Sequence, residues 1–142
     1  MGRAMAIDYG SRRIGVALSD PLCVIAQPFE TLYWNGKNPE RVLERLSGII
    51  EENDVDVVIL GSPRRTDGVI SESQKAAVLF GTLFFEKTGI SPIYADERYT
   101  TVIASRILIE TGVSGKDRKS VIDQMAAQII LREYLDNHRP IN

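Results

Sequence analysis

With 142 residues, 44% hydrophobic and 25% charged, the chain is long enough for one domain with its own core and too short for two of ordinary size. Its net charge of −2 excludes a surface that attracts nucleic acid everywhere, and no apolar stretch approaches the roughly 20 residues of a membrane-spanning helix. The single cysteine, Cys23, excludes an internal disulfide, and the lone histidine, His138 near the C-terminus, argues against a Ser-His-Asp triad or a His-rich zinc site.

The first residues run directly into strand-like sequence with no signal-peptide pattern, so a cytoplasmic protein is expected, with residues 1–142 forming a single domain. Three short strands are predicted first, about Arg3 to Tyr9, Ile14 to Ser19 and Gln27 to Leu32, spaced as an antiparallel meander. Asn38-Pro39 then reads as an N-cap followed by proline at the first helical position. The helix it opens carries Val42, Leu46, Ile49 and Ile50 on one face and runs to about Asn53. Val57-Val58-Ile59-Leu60 is short and unbroken, as in a strand covered on both faces, and Gly61-Ser62-Pro63 ends it. Ser71-Glu72-Ser73-Gln74 fits a capping box and starts a second helix to about Lys87, with Gly89 as its C-terminal cap.

Pro92 to Ala95 gives a fifth strand, followed by Asp96-Glu97. A third helix is expected from Thr100 or Thr101 to Glu110, and a last one from about Ser120 to Asp136 with Val121, Ile122, Met125, Ala126 and Ile129 on one face. A meander feeding parallel strands through crossover helices is an α/β sandwich with a mixed sheet. In such sheets reactive groups gather at the carboxyl ends of the parallel strands.

Three acids stand out. Asp8 follows the apolar run Ala4-Met5-Ala6-Ile7 and precedes Tyr9-Gly10, and an ionised acid at such a half-buried site costs roughly several kcal/mol unless a cation or donors compensate it. Glu97 ends the fifth strand, and Asp123 opens the final helix. Phosphodiester cleavage without histidine or a reactive cysteine generally relies on Mg²⁺ or a similar hard ion held by a few carboxylates, and two such ions about 3.5–4 Å apart serve both the attacking and the leaving oxygen. Each acid also has a plainer reading. Asp8 can accept hydrogen bonds from the Gly10-Ser11-Arg12 turn, Glu97 can pair with Arg98, and Asp123 can sit in a first helical turn capped by Ser120, where the helix dipole favours any acid.

Basic residues cluster near these acids: Arg12, Arg13, Arg64, Arg65, Arg98, Lys116, Arg118 and Lys119 fall in predicted loops or at element ends. They form a basic rim if the fold gathers those loops, and are ordinary surface charges otherwise. The segment Gly61 to Gly68 could offer backbone donors and two arginines to phosphates, although it lacks the Gly-Lys-Ser/Thr ending of a P-loop. Tyr33 and Trp34 could stack on bases, with core or rim packing the commoner duty of such residues.

Taken in order, Ala6-Ile7-Asp8-Tyr9-Gly10, Arg13 to Asp20, Gly61-Ser62-Pro63 with Asp67-Gly68, Asp96-Glu97-Arg98-Tyr99-Thr100-Thr101 and Asp123 to Leu131 resemble the YqgF/RuvX family over nearly the whole chain. Its members are described as Holliday junction resolvases or as nucleases that mature the 5′ end of pre-16S rRNA. The resemblance implies an RNase H-like fold with a mixed five-stranded sheet and helices on both faces. It also implies a catalytic, metal-binding triad of Asp8, Glu97 and Asp123 for Mg²⁺ or Mn²⁺. Nucleic-acid contacts are expected from Arg12, Arg13, Arg64, Arg65, Arg98, Lys116 and Lys119. Arg64-Arg65-Thr66 departs from the neutral residues often found there in the family.

The expected substrate is structured RNA, the precursor of 16S rRNA first, with four-way DNA junctions second. Junction cutting would call for a dimer, and monomer and homodimer both stay open. Two further readings are a non-catalytic ribosome-assembly factor and an ATPase-like module. The latter is disfavoured because the actin and sugar-kinase fold closes two domains over its nucleotide.

Overall fold

The computed structural model describes residues 2–62, 72–96 and 115–137. These form β1 (Arg3–Asp8), β2 (Arg13–Ser19), β3 (Ala26–Tyr33), α1 (Glu40–Glu52), β4 (Val55–Ser62), α2 (Glu72–Thr88), β5 (Ile93–Asp96) and α3 (Gly115–Asn137). The strands make one five-stranded sheet in the order β3-β2-β1-β4-β5. The meander pairs antiparallel, whereas β1–β4 and β4–β5 pair parallel, as expected for the mixed RNase H-like sheet. The helix predicted over residues 100–110 lies outside the described residues, as does Ser71, the predicted cap of α2.

Because side chains alternate across a strand, each strand of the meander carries two sequences at once. Met5, Ile7 and Tyr9 in and just after β1, with Ile14, Val16 and Leu18 of β2, point to one face. There they pack on Val42, Leu43, Leu46 and Ile49 of α1 and on Ala77, Phe80 and Phe84 of α2. Ala4, Ala6, Ala17 and Ala26 point to the other face, where with Ile59 they meet Ala127, Ile130, Leu131 and Leu135 of α3. β4 is covered on both sides, Val58 and Leu60 joining the first core and Ile59 the second.

Two helix ends differ from the sequence reading. Pro39, not Asn38, is the N-cap of α1; the Asn38 Oδ1 accepts the Glu40 N–H at 3.4 Å from one position further out. α3 starts at Gly115, so Asp123 stands more than two turns inside the helix rather than in its first turn, and the helix-dipole explanation of that acid fails. Its buried stripe is also different. Ala126, Ala127, Ile130, Leu131 and Leu135 face the sheet, whereas Val121, Ile122, Met125 and Ile129 are only partly buried. The C-terminal end of α2 is as expected: Gly89 takes a left-handed φ of 78° and its N–H donates to the Phe85 carbonyl at 2.8 Å.

Candidate active site

Asp8 is the last residue of β1 and is buried, with 7% of its surface exposed. It lies between two glycines, pairing with Gly15 of β2 on one side and Gly61 of β4 on the other. By strand alternation its side chain belongs to the face of Ala4 and Ala6, the face that α3 covers. Gly15 is what lets the helix arrive. A Cβ there would collide with the Asp123 carbonyl oxygen and reach the Asp123 Cβ at 3.0 Å, so only glycine lets this turn of α3 rest directly on β2. Asp123 is thereby set over Gly15, the strand neighbour of Asp8, 115 positions away from Asp8 in sequence.

Side-chain hydrogen bonds fix how α3 lies. Gln124 Nε2 donates to Thr31 Oγ1 at 3.1 Å, and one turn later Gln128 Nε2 donates to the Ala26 carbonyl at 3.0 Å, tying the helix to β3. Asp123 itself accepts from Arg13 Nε through Oδ2 at 2.7 Å, an ion pair whose acid side chain is 16% exposed. Burial pushes the Asp123 carboxyl above the usual carboxylate range, and the Arg13 guanidinium partly offsets the rise.

The other predicted residues distribute around this pair. Arg12 is exposed on the β1–β2 turn, and Arg13 is half-buried on Asp123. Lys116 and Lys119 belong to the first turns of α3 rather than to the loop expected before a helix starting at Ser120. Glu97, Arg64, Arg65 and Arg98 lie outside the described residues. The strands leading to them end at this edge, since Gly61 pairs with Asp8 and with Ala95, and Ser62 pairs with Asp96. Among the described residues no group of three potential metal ligands is assembled; two carboxylates, Asp8 and Asp123, share the α3 face. Their hard oxygen donors fit a divalent cation that prefers oxygen ligands.

Two site features were not anticipated from sequence. Gly15 could have been suspected, because a glycine inside a buried strand often marks a close backbone approach. Gln124 and Gln128 carried no such signal, since a glutamine on a helix is ordinary until its partner strand is known.

A family model described as RuvX, Holliday junction resolvase, matches residues 2–137. The chain belongs to the RuvX (YqgF) family. Relatives named "Putative pre-16S rRNA nuclease" include one from Lachnospira eligens, 42% identical over 95% of this chain and 97% of that protein, and one from Acetivibrio thermocellus, 41% identical over 95% and 96%. RuvX membership makes the chain a nuclease by class, a hydrolase of phosphodiester bonds.

Solved structures with the same fold include Thermus thermophilus RuvC in complex with Holliday junction substrate, with a TM-score of 0.58 at 12% identity over 96% of this chain and 95% of that one. Fowlpox virus resolvase with Holliday junction DNA gives a TM-score of 0.55 at 11% identity over 97% and 99%. At such identities the likeness establishes the RNase H-like fold alone.

Proposed function

We propose that this RuvX-family chain is a divalent-metal-dependent nuclease that cuts structured RNA, with the 5′ end of pre-16S rRNA as its substrate. The observation that carries the reading is that Asp123 packs on Gly15, the strand neighbour of Asp8, so that two acids remote in sequence share one sheet face at the carboxyl edge of the parallel strands. Glu97, at the exit of β5, is assigned as the third ligand on the family pattern. The relatives' name supplies the substrate.

Asp8, Asp123 and Glu97 would hold Mg²⁺ or Mn²⁺, which when bound supplies Lewis-acid neutralisation of charge on the phosphoryl oxygens. Arg13 fixes the Asp123 carboxylate through Oδ2. Gly15 admits α3 so that the two acids share one face, and the packed helix keeps bulk water from behind Asp8. Arg12 stands on the adjoining turn, where it would take a backbone phosphate, and Arg64, Arg65, Arg98, Lys116 and Lys119 are assigned to the same basic rim. We place this activity in the cytoplasm; no helix of the described residues is long and apolar enough to cross a membrane.

Four-way DNA junctions are the second reading, favoured by the description of the family model. Backbone contacts do not distinguish the two, and only a contact to a 2′-hydroxyl would. The test offers wild type and Asp8→Asn a pre-16S 5′ leader and a four-way junction, each with and without Mg²⁺. Cleavage of the leader only by wild type, and only with Mg²⁺, is expected. Equal cleavage by Asp8→Asn would defeat the site assignment, and cutting of the junction alone would replace the substrate. No cleavage of either by wild type would turn the reading toward a non-catalytic assembly factor.

A further inference from the structure

A cavity of about 430 Å³ opens beside the turn that follows Asp8, lined by Tyr33, Trp34, Asn35, Asn38, Glu40 and Arg41. Its size lies within the range of small-ligand pockets. Its wall is bolted to the catalytic edge. The Trp34 N–H donates to the Arg12 carbonyl at 3.1 Å, and its indole Nε1–H donates to the Gly10 carbonyl at 2.8 Å, two residues beyond Asp8. Trp34 is committed to packing, edge-on to Tyr9 with centroids 6.0 Å apart and tilted against Phe80 at 5.9 Å. The floor is rigid as well, because Asn35 Oδ1 accepts the N–H groups of Lys37 and Asn38 at 2.8 and 2.9 Å. Tyr33, by contrast, is 66% exposed.

The lining chemistry selects the ligand. Among the described lining residues one cation, Arg41, is balanced by one anion, Glu40, so these side chains offer no net attraction to a phosphate. An exposed aromatic ring with two carboxamides and a carboxylate around it suits a neutral planar group rich in donors and acceptors. We infer that this cavity binds one unpaired nucleobase of the strand being cut, stacked on Tyr33, and that Glu40 favours bases with an exocyclic amine over uracil. A carboxylate accepts hydrogen bonds and cannot donate, so it accepts readily from the amino groups of adenine, cytosine or guanine, whereas uracil offers it a single N–H flanked by two carbonyl oxygens that repel it. The strand would pass from Asp8 over the exposed Arg12 into the cavity, placing this contact within a few nucleotides of the cut. This specificity rests on the nuclease reading for its purpose but not for its measurement.

The test is fluorescence anisotropy with short labelled oligo(A), oligo(C) and oligo(U) RNA in EDTA, where no cleavage is read. Wild type is expected to bind oligo(A) and oligo(C) more tightly than oligo(U). Tyr33→Ala should weaken oligo(A) about tenfold and Tyr33→Phe should restore it, in line with one lost base stack. Glu40→Gln should erase the preference over oligo(U). Leu22→Ser, on an 81% exposed side chain at the opposite end of the sheet, should bind like wild type. Wild-type binding that is absent or indifferent to base, or Tyr33→Ala binding as tightly as wild type, would overturn the inference. Failure of the Asp8→Asn cleavage test leaves this result standing, and loss of base binding leaves the cleavage test untouched.

Discussion

The two faces of the sheet are built from alternate residues of the same strands, and they do different work. Under α1 and α2 the strands present Met5, Ile7, Ile14, Val16 and Leu18, large side chains that fill the space up to Phe80 and Phe84. Under α3 they present Ala4, Ala6, Gly15 and Ala17, which bring a helix backbone almost onto the sheet. The bulky face supplies most of the apolar burial, and the small face controls a distance. A functional acid borne on a helix is placed by what the sheet beneath it lacks.

The comparison breaks most visibly through Phe84, which is fully buried. Phe84→Ala should cost about 3–5 kcal/mol in denaturant unfolding, with the cavity confined to the α1/α2 side. Gly15→Ala adds one methyl where the small face has no room. It should cost about 1–3 kcal/mol and, unlike Phe84→Ala at temperatures where that variant is folded, reduce cleavage by moving α3 away from Asp8.

Two ion pairs of equal length sharpen the contrast. Arg13–Asp123 on the small face and Arg45–Glu30 on the rim of the bulky face both measure 2.7 Å, but their acids shift in opposite directions. Burial dominates at Asp123 and raises its carboxyl. At Glu30 the hydrogen bond from Arg45 dominates and lowers it. A raised carboxyl takes up a proton on folding, so the contribution of Asp123 to stability is fully present below the ordinary carboxylate range and is lost as pH rises through its own raised value. Stability of wild type relative to Asp123→Asn should therefore fall with rising pH across that window, as read by urea unfolding at a series of pH values. Glu30 runs the other way: its contribution is present above the ordinary glutamate value and is lost as pH falls through its lowered one. Being an exposed pair, Glu30→Gln should cost only about 0.2–1 kcal/mol at neutral pH, the smallest effect of the set, and nothing in acid.

Local patterning made much of this visible beforehand. The β1–β2 hairpin, the doubly covered β4 and the Gly89 cap follow from alternation, an unbroken apolar run and a left-handed turn, all of which are short-range signals. The last helix was the weak point. Gly115 to Lys119 is charged and carries no apolar period, so the helix was expected to begin at Ser120. Of the stripe expected from Val121, Ile122, Met125, Ala126 and Ile129 only Ala126 is buried, because a sheet face of alanines accepts Ala126 and Ala127 more closely than large side chains. Of the acids, Asp8 declared itself by interrupting an apolar run. Asp123 was a candidate only as an acid opening a predicted helix, where the helix dipole explained it as well, and the family pattern decided between the two readings.

By itself the sequence determined the order of elements, the mixed sheet, the family and the conspicuous acid at the end of β1, because these depend on neighbours within a few residues. Only the tertiary structure decided that Asp123 lies across Gly15 from Asp8, that Arg13 serves Asp123, and that Tyr33 stands open beside a cavity while Trp34 is packed shut. Those outcomes depend on how closely a helix can approach a sheet. That distance is set by side-chain volumes drawn from remote parts of the chain, which no local pattern records.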